Sequence, residues 1–140
     1  MYYVNTTQIE ERLNMVPEIV EAANAIRNGW DGSLTASYAQ ERALHIAIEL
    51  ITDVGSLLID GFMMRDASSY EDIVNILSEE GVIPERLHDS LLGLVRLRKS
   101  LVQDYAAWKR RELHPAMAEL QELLPPFAEG ARQFIAKEMI

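Results

Sequence analysis

The chain has 140 residues, 49% of them hydrophobic, no cysteine and a formal net charge of −9. That length suits a single domain, residues 1–140, able to bury its own core, and the missing cysteines exclude a disulfide scaffold and any Cys-ligated zinc site. The acidic balance argues against broad, sequence-independent nucleic-acid binding, which depends on cations neutralising phosphates.

Helical periodicity runs through nearly the whole chain, beginning with Thr7 and Glu10 in a T-x-x-E capping-box pattern. Ile9, Leu13, Val16, Val20 and Ala23 then recur at spacings of four and three, one stripe of a helix, with Pro17 expected to kink it near Leu13. Asn28-Gly29 ends this segment and Asp31-Gly32-Ser33 turns the chain. A second helix is predicted over residues 36–64, roughly 40 Å long. Its two apolar edges, one of Ala43, Ala47, Leu50, Val54 and Leu57, the other of Leu44, Ile48, Ile51 and Leu58, make it a central helix packing on several partners. The same region is interrupted by His45, Glu49, Asp53 and Asp60, so it falls short of the roughly 18 uncharged residues of a membrane span.

Ser68 or Ser69 caps a short third helix over residues 70–80, closed by Gly81. Pro84 opens a fourth helix running to about Asp104, apolar on more than one stripe through Leu91, Leu92, Leu94, Val95, Leu97, Leu101 and Val102. Residues 113–140 repeat apolar positions at helical spacing across Pro125-Pro126, which predicts two helices or one sharply kinked helix. The expected fold is an all-α up-and-down bundle of four to five helices. Surplus apolar surface on the second and fourth helices points to a homodimer. The opening residues MYYVNTTQIE carry no basic-then-apolar signal segment, which makes the cytoplasm the expected compartment, with no membrane partner.

Few motifs carry chemistry. Glu85-x-x-His88 occurs once, whereas carboxylate-bridged di-metal bundles need two such pairs, so no metal and no cofactor are expected. His45 shares a polar edge with Glu41, Glu49 and Thr52 and is read as a half-buried histidine paired with Glu49 one turn on. His88 is read as a surface residue and His114, before Pro115, as a surface or capping residue. Neither a G-x-S-x-G elbow nor a Gly-rich phosphate loop is present.

Charge is unevenly distributed. Arg96, Arg98, Lys99, Lys109, Arg110 and Arg111 lie within sixteen positions that contain one acid, Asp104, a net +5 that leaves −14 on the rest of the chain. The window is either a solvated helix end or a local anion site. Within it Arg98 and Tyr105 are seven apart, two helical turns, and therefore expected on one face, with Gln103 near the helix end. An ordinary interface would also use such residues.

Arg98-Lys99-Ser100-Leu101-Val102-Gln103-Asp104-Tyr105 resembles the Arg-x4-His-x-Tyr signature of HepT-like proteins, in the HEPN superfamily of small helical bundles. Gln40-Glu41-Arg42-Ala43, the stretch from Ile59 to Asp66, Ser69-Tyr70-Glu71-Asp72-Ile73 and Gly81-Val82-Ile83 extend the resemblance over almost the whole chain, closest to the YutE-like branch. The resemblance implies a homodimeric bundle, the toxin of a toxin–antitoxin pair, acting as a metal-independent ribonuclease at the dimer interface. It implies a nucleotidyltransferase antitoxin that adenylylates the motif Tyr. Carried over, Arg98 takes the Arg role and Tyr105 the modified-Tyr role. Arg96, Lys99, Lys109, Arg110 and Arg111 become candidates for phosphate or RNA binding.

Gln103 stands where the family has His. A neutral amide does not transfer protons, and general acid–base help is worth roughly 10²–10⁴-fold. Weak cleavage is therefore expected, with a catalytically degenerate dimer that binds nucleotide, RNA or a nucleotidyltransferase as the alternative. His45 or His114 would have to substitute, and nothing in the spacing brings either to Arg98.

Overall fold

The computed structural model describes residues 2–139, which form six α-helices joined by short connections, with no strand among them. Helix α1 spans Thr6–Leu13 and α2 spans Val16–Asn28. The α1 cap is Asn5, whose Oδ1 accepts from the Gln8 amide at 3.1 Å. Thr7 and Glu10 lie inside the helix instead of forming its cap, and Glu10 pairs with Arg132 at 3.0 Å. Pro17 starts a new helix where a kink was expected. The Asn14 and Met15 amides close α1 on Glu10 and Arg12, and the proline, with no amide to donate, sits in the first turn of α2.

Helix α3, Leu34–Gly61, begins two residues earlier than predicted because Ser33 Oγ accepts from the Ala36 amide at 3.1 Å. Leu44, Ala47, Ile48, Leu50, Ile51, Val54 and Leu58 are all buried, so most of both apolar edges is covered by helices of the same chain, while Ala43 and Leu57 stay half-buried. A Cβ at Gly55 would overlap Ile73, and this is how α4, Tyr70–Glu79, packs directly on the α3 backbone. Ser69 caps α4 through its hydroxyl, and Gly81, at φ +77°, turns the chain out of it.

The next helix starts later than predicted. Residues 85–87 make a 3-10 turn after Pro84, and α5 spans His88–Val102. It ends two residues early because the Asp104 amide skips Ser100 and joins Gln103 on the Lys99 carbonyl, and Asp104 leaves the helical region at ψ 33°. A second 3-10 turn, Tyr105–Ala107, follows. Leu92, Leu97 and Leu101 stay half-buried along the outside of α5.

Helix α6, Ala116–Glu138, runs through Pro125-Pro126 as one element. The amides lost there would have reached the carbonyls of Gln121 and Glu122, both on the exposed side and open to water. Each proline inside a helix costs roughly 3 kcal/mol, so the pair costs about 6 kcal/mol. Leu123, Leu124 and Phe127 are buried around the pair, and each contributes about 1.5–3 kcal/mol. Burial of that size offsets the pair, and the helix continues. Gly130 lets α6 lie against the Val82 carbonyl, where a Cβ would not fit. None of the helices described is long and apolar enough to cross a membrane.

Candidate functional site

Glu41, His45 and Glu49 line one polar edge of α3 at intervals of four residues, on a helix otherwise apolar along two edges. Cations from later in the chain close over that edge. From α5, Arg98 donates through Nε to Glu49 Oε1 at 2.9 Å. Arg110, beyond the second 3-10 turn, makes a bidentate pair with Glu41 at 2.8 and 3.0 Å and also donates to the Tyr105 carbonyl. The Arg98 guanidinium lies over the Tyr70 ring, 4.0 Å from its centroid. Its side chain is 22% exposed. Its two terminal nitrogens have no protein hydrogen-bond partner among the described residues. A guanidinium held by Nε with its outer fork open is suited to a bidentate phosphate.

Glu49 serves a second partner. His45 Nε2 lies 3.4 Å from the same Oε1, and His45 Nδ1 is 3.5 Å from Arg42 Nη1. The predicted His45–Glu49 pair is therefore present, and it connects directly to Arg98, a link the spacing did not reveal. The available signal was the Glu41-x3-His45-x3-Glu49 line itself: acids on a central helix need cations from another element.

Tyr70 over Arg98 is set by a clamp between the end of α3 and the start of α4. Arg65 donates to both oxygens of Asp72 at 2.8 and 2.9 Å and to both of Glu79 at 3.1 and 3.0 Å. Asp72, 8% exposed, also accepts from the Ser68 amide and hydroxyl and from Asn75. Arg65 first, and the Ser68 amide after it, hold the Asp72 carboxyl well below the usual carboxylate range. His88, read from sequence as a surface residue, is half-buried at the rim of this clamp, with Nε2 2.7 Å from Asn75 Oδ1 and Nδ1 2.9 Å from Asp89.

The remaining sequence candidates are dispersed. Gln103 is exposed and caps α5 through its backbone. Tyr105 is 59% exposed on the 3-10 turn. Helical register does not carry from Arg98 to Tyr105, because α5 stops at Val102, so the shared face expected from a seven-residue spacing is not formed. Most of the basic window is matched by acids or carbonyls. Arg96 lies 3.7 Å from Glu71 and Lys99 3.9 Å from Asp104, while Arg111 donates to the Gly32 carbonyl. Lys109 makes no ion pair among the described residues and stands at a cleft of about 410 Å³ beside Trp108, Asp104 and His114. His114 caps α6, its Nδ1 accepting from the Ala116 amide at 3.0 Å, and burial holds its pKa below the ordinary histidine value.

A sequence model of the family described as "Ribonuclease HepT-like" matches residues 9–132. A Bacillus subtilis (strain 168) protein named "Putative RNase YutE" is 34% identical over 139 residues, which cover 99% of this chain and 95% of that one. A solved structure of YutE from Bacillus subtilis, described as a cytosolic protein of unknown function, superposes with a TM-score of 0.88 at 34% identity, over 99% of this chain and 95% of that one. The all-helical bundle, the near-complete span of the match and the identity of a third of the residues together make this chain a member of the HepT-like ribonuclease family.

Proposed function

We propose that the protein cleaves RNA without a metal ion, with Arg98 binding the scissile phosphate. The observation that carries this reading is the state of Arg98. Its Nε is fixed by Glu49, its face is covered by Tyr70, and its terminal nitrogens are open to an oxyanion. Such a fork neutralises the charge that grows on the phosphoryl oxygens as the phosphorus becomes five-coordinate. Gln103, at the position where the resemblance has His, offers no titratable group, so cleavage is slow.

The toxin–antitoxin role belongs to this reading. Tyr105 is exposed on a short turn, which supports adenylylation by a nucleotidyltransferase partner, read as one added AMP in intact mass after co-expression. The half-buried leucines of α5 support a homodimer, read by light scattering at micromolar concentration. The cytoplasm is the compartment that goes with this role.

The deciding experiment is cleavage of labelled single-stranded RNA in excess EDTA. Slow cleavage that Arg98→Ala abolishes and Gln103→His accelerates is the expected result. Gln103 favours one other reading, a degenerate dimer that binds nucleotide or RNA. That reading predicts RNA binding sensitive to Arg98→Ala, with no cleavage by the unaltered protein.

A further inference from the structure

We infer that His45 is the proton-transfer group of this site, acting from α3 in place of the titratable side chain that position 103 lacks. The inference rests on the ribonuclease reading above and goes beyond it by naming a residue for the step that Gln103 cannot perform.

Three observations carry it. The first is connectivity. Glu49 Oε1 is shared by Arg98 Nε at 2.9 Å and His45 Nε2 at 3.4 Å, so an imidazole and the phosphate-binding guanidinium flank one carboxylate oxygen. The second is tautomer. Arg42 can only donate, and its Nη1 lies 3.5 Å from His45 Nδ1. In the neutral ring Nδ1 therefore carries the lone pair and Nε2 the proton, on the side where Glu49 Oε1 lies 3.4 Å away. The nitrogen away from the carboxylate is then the one available to take a proton. The third is access. The His45 side chain is 32% exposed, and its contact with the exposed Arg42 is at the long limit of a hydrogen bond, so a substrate hydroxyl can displace it. The other two histidines, both half-buried, are otherwise committed: His114 caps α6, and both His88 ring nitrogens face clamp or neighbouring oxygens.

The charged groups around His45 are Arg42, Glu41 and Glu49 of its own helix, with Arg98 of α5 reached across Glu49. Glu49 lies between the ring and the guanidinium, and Arg98 keeps that carboxylate from repelling the phosphate. The ribose 2′-oxygen bonds to phosphorus while its proton passes to Nδ1 of His45, and the bond from phosphorus to the 5′-oxygen breaks. The departing 5′-oxygen takes a proton from water, and the hydroxide so formed is neutralised by the imidazolium. The products are a 2′,3′-cyclic phosphate and a free 5′-hydroxyl.

The test compares the unaltered protein with His45→Ala, His45→Gln and Arg98→Ala, on single-stranded RNA in EDTA, with and without added imidazole. His45→Ala is expected to lose about 10²-fold or more in kcat, to keep its affinity for RNA, and to recover activity with imidazole. Arg98→Ala is expected to lose activity with no recovery. His45→Gln, which keeps an amide toward Glu49, covers the case in which the alanine variant does not fold, and is expected to lose kcat with an unchanged melting temperature. Cleavage by His45→Ala at the unaltered rate, or a loss that imidazole does not restore in a folded variant, overturns the role of His45 and leaves the ribonuclease reading standing if Arg98→Ala is inactive. Absence of cleavage in the unaltered protein, or full activity in Arg98→Ala, overturns both.

Discussion

Two arginine–carboxylate networks meet at Tyr70, and they differ in how completely they are filled. In the α3–α4 clamp, Arg65 makes four hydrogen bonds to two carboxylates, and Asp72 accepts from Ser68 and Asn75 besides. At the α3–α5 edge, Arg98 makes one, through Nε, and leaves its terminal nitrogens open. A nearly saturated guanidinium fixes geometry, since four of the five N–H donors of Arg65 already have protein partners. An unsaturated one, held at a single atom and over a ring, is pre-oriented for something the chain does not supply. The sequence window with the highest positive charge turns out to be less informative than the filling of each arginine.

Exchanging the losses between the two networks should produce opposite signatures. Arg98→Ala removes the phosphate ligand and costs at least about 10²-fold in cleavage, while its pair with Glu49 rests on one part-buried hydrogen bond and contributes less to stability than the four of Arg65. Arg65→Ala leaves the low-exposure Asp72 without its bidentate partner and should lower the melting temperature by several degrees. Its effect on cleavage is smaller and indirect, through the position of Tyr70. Thermal melts and cleavage rates on the two variants separate these effects; equal losses of both kinds in both variants would erase the distinction.

Acid sharpens the same contrast. The Asp72 carboxyl is held far below its unfolded value by Arg65, so the stability it contributes is present above about pH 4 and is lost as pH falls below that. Arg65→Ala should therefore flatten the acid limb of a plot of melting temperature against pH, whereas Arg98→Ala should leave it unchanged. His114 adds a smaller loss nearer neutrality. Burial lowers its pKa in the fold, so the unfolded chain takes up the proton first and stability declines as pH drops through about 6.5. His114→Asn, which can still accept from the Ala116 amide, should remove that shallow slope.

Local chemistry was legible in the sequence, and tertiary pairing was not. The start of α4 followed from Ser69, because a cap needs only residues three positions apart. The early end of α5 had no strong breaker to announce it, since Gln103 and Asp104 are ordinary helix residues that happen to turn onto Lys99. Pro125-Pro126 gave a breaker signal that the flanking burial of Leu124 and Phe127 overrode. His45 and Glu49 were legible as a pair, one turn apart, but Arg98 lies 49 positions from Glu49, and no periodicity links them. The family motif singled out Arg98, Gln103 and Tyr105 by their order along the chain. Only the fold shows that the helix ends between the first of these and the other two.

The smallest expected effect concerns salt, and it follows from the same count of open donors. A basic window of +5 would suggest release of several counterions on binding RNA. Yet Arg110 is committed to Glu41 and Arg111 to Gly32, and Arg96 and Lys99 have acids nearby. Arg98 and Lys109 remain the most available cations. Each neutralised phosphate of a single strand contributes roughly −0.7 to the slope of log affinity against log salt, so a contact with one to three phosphates gives a slope of about −1 to −2. Arg98→Ala should reduce that slope by somewhat less than one, and Arg65→Ala should leave it unaltered. A slope near −4 would mean that the whole window binds RNA after its ion pairs open, and the distinction between filled and unfilled arginines would then fail as a guide to where this protein meets its substrate.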